Sequence, residues 1–365
     1  MTVRFNALVP QDDDAVAVRA AIERVVASGW FVLGPEVDAF EAEFARACGA
    51  KYAVGVGTGT DALTLILRAL DIGHGDEVIT SPLSAAYSAL AIMMAGARPV
   101  FADIDAERLT LDPAAAAAAI TSRTRAILPV HLYGQPADMT TLAQIAARHD
   151  LAMVEDACQA HLATSAGQPV GTVGIAGAFS FYPTKNLGAL GDGGAVVTSD
   201  PALAERVKRL RNGGQTSRYR HLEAGANSRL DELQAAVLRA RLPFLARWTE
   251  RRRAIARRYR AALAGGALVV PHEFEPGHVY HLFPVLTPAR TALQAHLATA
   301  GVETLIHYPV PIPRQPALAA TQPGACPIAD RICDEVVSLP MYPSLTDAAV
   351  TAVADAATTF QNPAK

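Results

Sequence analysis

From residue 52 to residue 156 the chain alternates short β-rich runs with helical ones, and this rhythm limits the fold more than any other feature. "YAVGV" precedes "TDALTLILRAL", "DEVITS" precedes "AAYSALAIMMAG", and "RPVFADI" precedes "DPAAAAAAI". "RAILPV" then precedes "MTTLAQIAARH", and "LAMVED" follows. Strands joined by helices cross over and lie parallel, with the helices covering the sheet. The expectation is an α/β fold with a mostly parallel central sheet flanked by helices. The six alanines at 114 to 119 read as a surface helix within that rhythm. Asp112 caps it, Pro113 suits its first turn, and alanine favours helix.

Past residue 200 the pattern changes. "PALAERVKRLRN" leads to a polar loop at 212 to 226, and a long helical region runs from "SRLDELQAAVLRARL" to "RRRAIARRYRAAL". Beyond Gly265 a Pro-rich stretch mixes short strands and helices. The expected division is a large domain at 1–250 and a smaller C-terminal α/β domain at 251–365. Six arginines lie between Arg251 and Arg260. Ile255 and Tyr259 stand one helical turn apart, so these arginines read as a solvated helix face.

A net charge of −3 gives no global attraction to nucleic acid or to an anionic membrane. The opening "MTVRFNALVPQDDD" has no continuous apolar segment to act as a signal peptide. The longest apolar stretch, 85 to 97, is interrupted by Tyr87 and Ser88 and is too short to span a bilayer. A cytoplasmic protein is expected. Cys48, Cys158, Cys326 and Cys333 show no CxxC spacing, so they read as buried free thiols, and no metal site is expected.

Three places at the carboxyl ends of strands carry candidate chemistry, where α/β sheets bind ligands. In "VGVGTGTDAL" a strand ends at Val56, glycines bare the backbone, and a helix opens near Thr60. The N–H groups of that first turn suit a phosphate, although the stretch also reads as a plain tight turn. Gly57, Gly59 and Ala62 fit the dinucleotide pattern G-x-G-x-x-A as well. In "MVEDACQAH", Asp156 ends an apolar strand, where a carboxylate needs a positive partner or a helix to cap. In "SFYPTKNLGALGDGG", Lys185 sits among glycines. A lysine amine attacks carbonyls once its charged form is disfavoured. Together the three would hold pyridoxal 5′-phosphate by its phosphate, its ring nitrogen and its aldehyde, with the glycines making room for it.

These residues resemble the DegT/StrS family of pyridoxal-phosphate sugar aminotransferases, which have the fold type I (aspartate aminotransferase-like) architecture. The likeness runs almost end to end, through "GTGTDAL", "PVHLYGQPADM", "VEDACQAH", "FSFYPTKNLGALGDGGAVVT", "GANSRLDELQAAVL" and "GVETLIHYP". It implies that Lys185 is the Schiff-base lysine and Asp156 the partner of the ring nitrogen. Gln159 matches a contact to the cofactor's phenolic oxygen, and Gly59, Thr60 and Ser180 match phosphate contacts. Asn227 resembles an asparagine that reaches the phosphate of a neighbouring subunit, implying a homodimer with shared active sites. The resemblance also implies that Arg229 holds a donor carboxylate, and His307 and Tyr308 match a pair that lies near the sugar site.

The chain departs from the family in three places. Ala85 stands where an aromatic residue commonly stacks on the cofactor, so either Tyr87 supplies that ring or aliphatic groups pack the face. Gly213 replaces a tyrosine, and Pro313 a histidine.

The resemblance implies transfer of an amino group from an amino acid, L-glutamate being the usual donor, to a keto-sugar nucleotide. Gln159 stands where enzymes acting at sugar C4 tend to carry histidine, which points to a dTDP-linked 3-keto-6-deoxy-hexose. The rival acceptor is the 4-keto isomer. Two other readings remain, a nicotinamide dehydrogenase and a non-catalytic pyridoxal-phosphate-binding regulator.

Overall fold

The structure, a computed structural model, describes residues 2–10 and 12–361. Two helices, α1 (Asp12–Ser28) and α2 (Pro35–Cys48), precede the first strand. The alternation then runs β1 (Tyr52–Val56), α3 (Gly59–Ala69), β2 (Glu77–Thr80), α4 (Tyr87–Met94) and β3 (Arg98–Phe101). It continues through α5 (Pro113–Ala118), β4 (Thr124–Leu128), α6 (Met139–Arg148) and β5 (Ala152–Asp156). A small hairpin, β6 (Thr164–Ser165) and β7 (Gln168–Pro169), leads to β8 (Ala176–Ser180) and β9 (Gly194–Thr198). After α7 (Pro201–Arg211) a second small hairpin, β10 (Gln215–Ser217) and β11 (Arg220–His221), precedes α8 (Glu232–Arg241) and α9 (Leu245–Leu263). The last elements are β12 (Phe283–Leu286), α10 (Arg290–Thr299), α11 (Pro327–Glu335), β13 (Val336–Leu339) and α12 (Asp347–Thr358).

Seven strands form one sheet in the order β1-β9-β8-β5-β4-β2-β3. From β8 to β3 every neighbouring pair is parallel, while β9 runs antiparallel to both β8 and β1. The reason is local. Residues 181–193, which join β8 to β9 and carry Lys185, contain no helix to form a crossover, so the chain turns back on itself. Strands β2 and β9 are buried at every position, as expected of a sheet covered on both faces. Asp112 caps α5 as the sequence predicts, accepting from the N–H groups of Ala114 and Ala115.

A second apolar core gathers α9, α10, α12 and the antiparallel pair β12–β13. Val3 belongs to it and bridges to Val302, so the first residues of the chain pack with the last third. The expected division at 250/251 falls inside α9, an unbroken helix. One expectation about that helix needs correcting. Arg252 is not on a solvated face but buried, at 5% exposure, because it shares the stripe of Ile255, Ala256, Tyr259 and Leu263.

All four cysteines are free, with Cys48, Cys326 and Cys333 buried. Among the described residues no helix is long and apolar enough to cross a membrane. Nor does any group of three or more His, Cys, Asp or Glu among them make a metal site.

Candidate active site

The three stretches predicted to carry chemistry meet at the carboxyl ends of β1, β5 and β8. Asp156 closes β5 at 5% exposure. Its Oδ1 accepts from the Cys158 N–H at 3.1 Å, and its Oδ2 accepts from the Ser88 hydroxyl at 2.7 Å. The residues after it form turns, so it caps no helix. A carboxylate offers about four acceptor positions, and two remain here for a further donor.

Lys185 lies in the β8–β9 connection, where its N–H closes a turn on Tyr182 O at 2.8 Å. Its neighbour Asn186 pins the loop, donating to Val279 O at 3.0 Å and meeting His281 Nδ1 at 3.2 Å. Burial holds the lysine ammonium below its usual range, against the pull of nearby Cys158 and Asp156. A depressed lysine spends more time as the neutral nucleophile. The same burial, with the lysine's charge beside it, lowers His161 to about 3 and His307 to about 4. Both ring nitrogens of His161 are buried without a partner among the described residues.

Two of the glycines around Lys185 are needed for close packing of the chain on itself. A Cβ on Gly188 would stand 2.5 Å from Pro183 O, and one on Gly194 would stand 2.4 Å from the Thr58 carbonyl. At these two positions the missing side chain admits the chain's own backbone.

The phosphate cradle is the N-terminus of α3. Thr58 caps it, accepting from the Asp61 N–H at 3.0 Å. The N–H groups of Gly59 and Thr60 and the Thr60 hydroxyl meet no partner among the described residues, which leaves an anion-ready helix end. Ser180 ends β8 opposite Gly194, which touches Thr58, so it stands beside this cradle.

Gln159 is held at both ends of its amide. Its Oε1 accepts from the Tyr133 N–H at 2.8 Å, and its Nε2 donates to the Tyr308 hydroxyl at 2.7 Å. Tyr133 and Tyr308 both adopt left-handed backbone, φ 57° and 64°, and their rings stack with centroids 6.3 Å apart. Such strain in non-glycine residues concentrates at functional sites. His307 is fixed through Nδ1 to Ser338 Oγ at 2.9 Å. Of the expected pair at 307 and 308, Tyr308 meets Gln159 directly and His307 stands against the Tyr308 ring, centroids 6.0 Å apart.

Two predicted residues stand apart. Asn227 is exposed and its side-chain amide is unbonded among the described residues. Its neighbour Ser228 donates to Asp61 at 2.8 Å and accepts from the Gly57 N–H at 2.9 Å, so residue 227 sits next to its own chain's cradle. Arg229 reaches Asn212 Oδ1 at 3.3 Å and does not line the cavity beside Lys185. Tyr87, offered as an alternative ring for the cofactor, opens α4 and is 62% exposed.

Sequence reasoning missed Ser88, Tyr133 and Ser228. Each is an ordinary residue whose partner lies between 26 and 171 positions away. It also missed the structural partner of Asp156. Glu155, next door, accepts from the N–H groups of Gly171, Val173 and Gly174 at 2.7, 2.8 and 2.7 Å and pairs with His131 Nε2 at 3.0 Å.

A free helix N-terminus, a carboxylate with acceptor positions to spare and a depressed lysine amine form the donor set that pyridoxal 5′-phosphate requires, so the residues fit the group. Comparison with known proteins agrees. Residues 12–358 match the DegT/DnrJ/EryC1/StrS aminotransferase family. The chain is 51% identical over 332 residues to the dTDP-3-amino-3,4,6-trideoxy-alpha-D-glucose transaminase of Streptomyces venezuelae, covering 89% of this chain and 87% of the relative. It is 47% identical over 340 residues to the dTDP-3-amino-3,6-dideoxy-alpha-D-galactopyranose transaminase of Aneurinibacillus thermoaerophilus, covering 93% and 94%. The crystal structure of S. venezuelae DesV in complex with a ketimine intermediate matches with a TM-score of 0.91 and 49% identity, over 94% of this chain and 96% of that one.

Proposed function

The chain belongs to the DegT/DnrJ/EryC1/StrS aminotransferase family and is a pyridoxal 5′-phosphate-dependent sugar aminotransferase; on that premise we propose that it moves an amino group from L-glutamate to a dTDP-linked 3-keto-6-deoxy-hexose. The observation that carries this reading is the meeting of a depressed lysine with an under-satisfied carboxylate beside an open helix end. The two relatives support the acceptor, since both are named for an amine at C3 of a dTDP-linked deoxy sugar.

Bound pyridoxal 5′-phosphate supplies an aldehyde that bonds to amines and a ring that accepts the electron pair of a breaking C–H bond. The chain's residues do the rest. The α3 N-terminus with Thr60 and Ser180 binds the phosphate. Asp156 holds a proton on the ring nitrogen, as an adjacent carboxylate favours a cation by about one to three pKa units. Gln159, oriented by Tyr133 and Tyr308, keeps one amide hydrogen that would serve the phenolic oxygen. Lys185 would remove a proton from the substrate carbon and return one, as base and then acid.

Two chains would pair and share sites. The exposed, unbonded Asn227 supports this, as do Trp30, Phe31 and Tyr182, exposed by 56, 50 and 52%. Four free cysteines suit the reducing cytoplasm. The test is holoenzyme with L-glutamate and a panel of keto-sugar nucleotides, the new amine being mapped by NMR. Amination at C3 is expected. Efficient amination of the 4-keto isomer with none of the 3-keto isomer overturns the acceptor, and faster transfer from another amino acid overturns the donor.

A further inference from the structure

Beside Lys185 lies a cavity of about 400 Å³ whose walls carry more positive charge than the chemistry above uses. Four arginines line it, Arg241 from α8 and Arg247, Arg251 and Arg252 from α9. Asp14 is the one acidic residue among the described residues that line it. Arg241 is already engaged, reaching both Asp14 oxygens at 3.0 Å and Gly188 O at 2.6 Å. Arg251 is engaged as well, with Asp347 at 2.8 Å and Leu345 O at 2.6 Å.

The other two are not. Arg247 is exposed at the rim, resting over the Phe244 ring at 5.2 Å, and meets no carboxylate among the described residues. Arg252 is 5% exposed, and its Nη1 donates to the carbonyls of Tyr280, His281 and Met341 at 3.1, 3.2 and 2.8 Å. Its Nε is buried without any partner, and no carboxylate faces it among the described residues. Burying an uncompensated guanidinium is expensive, and a native orphan donor calls for an explanation. Desolvation lowers Arg252 to about 10, which leaves it charged at neutral pH. With Nη1 committed and Nε enclosed, Nη2, which donates to nothing among the described residues, is the group left for a carboxylate or phosphate oxygen.

We propose that this cavity is an oxyanion subsite, in which Arg252 and Arg247 hold the carboxylate or phosphate end of a substrate that reacts at Lys185. The inference rests on the transamination reading above and adds to it the place where substrate charge is met. A carboxylate would come from the amino donor, a phosphate from the sugar nucleotide. The remaining lining, with Trp248 and Tyr342 among it, leaves room for the body of either molecule.

The two half-reactions separate the sources. Holoenzyme carrying Arg247→Ala or Arg252→Lys is mixed with L-glutamate alone, and its amine form with the keto-sugar nucleotide alone, following cofactor absorbance. For one substrate the half-saturating concentration is expected to rise about fivefold in Arg247→Ala and more than about tenfold in Arg252→Lys, while the rate at saturation falls less than about threefold. A rise for glutamate identifies the carboxylate, and a rise for the nucleotide identifies the phosphate. Arg247 is exposed, so its variant keeps the test valid should Arg252→Lys not fold. If neither half-saturating concentration moves in Arg247→Ala, or if Arg252→Lys loses only its rate at saturation, the subsite is overturned. Calorimetry with L-glutamate and with inorganic pyrophosphate is the second readout. Should the wild-type protein transaminate nothing, binding lost in both variants still supports the subsite while the transamination reading fails. Binding of both probes unchanged in the variants overturns the subsite itself.

Discussion

Glu155 and Asp156 are consecutive residues at the end of β5, and the pleat sends their carboxylates to opposite faces of the sheet. On one face Glu155, fully buried, fills all its acceptor positions. Three come from the backbone of residues 171–174 and one from His131, whose Nδ1 accepts from the Ala137 N–H at 3.1 Å. On the other face Asp156 has two partners and room for more, near a lysine whose charge burial disfavours. The same functional group at the same depth is therefore a structural bolt on one side and, on the other, the open carboxylate on which the proposed reaction depends. What differs is the number of donors the fold brings to it. A saturated carboxylate has nothing left to offer a ligand, whereas an under-satisfied one is stabilised by it.

The largest effect is expected on the open face. Lys185→Ala removes the amine proposed to bond the cofactor's aldehyde, so turnover is expected to fall by more than about 10⁴-fold while the fold is kept. The visible band of bound cofactor, and its loss on borohydride reduction, disappear with the lysine; normal turnover by this variant would refute the assignment.

Asp156→Asn and Glu155→Gln then set the faces directly against each other. Asp156→Asn is expected to lose about 10²- to 10³-fold in rate with less than about 1 kcal/mol in stability. Glu155→Gln is expected to lose about 2–3 kcal/mol of stability, since an amide cannot accept four donors, with less than about tenfold loss of rate per folded molecule. Chemical denaturation beside steady-state kinetics reads both, and a reversed pattern breaks the comparison.

The pH dependence is smaller. His161 and His307 titrate at about 3 and about 4 when folded, well below the ordinary histidine value near 6.5. The unfolded chain therefore binds protons that the folded chain refuses between those values. Stability is full above about pH 6.5 and is lost as pH falls toward 4, by about 1.4 kcal/mol per pH unit for each histidine. Replacing His161 with Phe is expected to flatten that slope by one proton's share, seen in denaturation midpoints between pH 7 and 5. An unchanged slope assigns the acid sensitivity elsewhere.

The smallest signal tests the edge of the open face. Inactive Lys185→Ala and Asn227→Asp chains, unfolded and refolded together, are expected to recover up to about a quarter of wild-type activity through heterodimers with one intact site. If heterodimers form without activity, Asn227 serves the cradle of its own chain, beside which Ser228 already anchors it.

Much of this protein was legible in its residues. The alternation from 52 to 156 announced the parallel sheet, Asp112 and Pro113 announced a capped helix, and the lysine and aspartate segments announced pyridoxal chemistry. The antiparallel place of β9 was less visible, because strand runs do not name their neighbours. The burial of Arg252 was within reach, since it falls three and four positions before Ile255 and Ala256, but a run of six arginines obscured the stripe.

By itself, the sequence determined which groups were available and, through the two-residue period of a strand, that Glu155 and Asp156 would face opposite ways. It did not determine which of them would be reactive. That depended on Ser88 and Lys185 arriving on one side, and on His131 and residues 171–174 arriving on the other. The physical reason is that a carboxylate's role follows from the donors within about 3 Å of it. Those donors are separated from Asp156 and Glu155 by up to 68 positions of chain, so only the closed sheet and its loops bring them together.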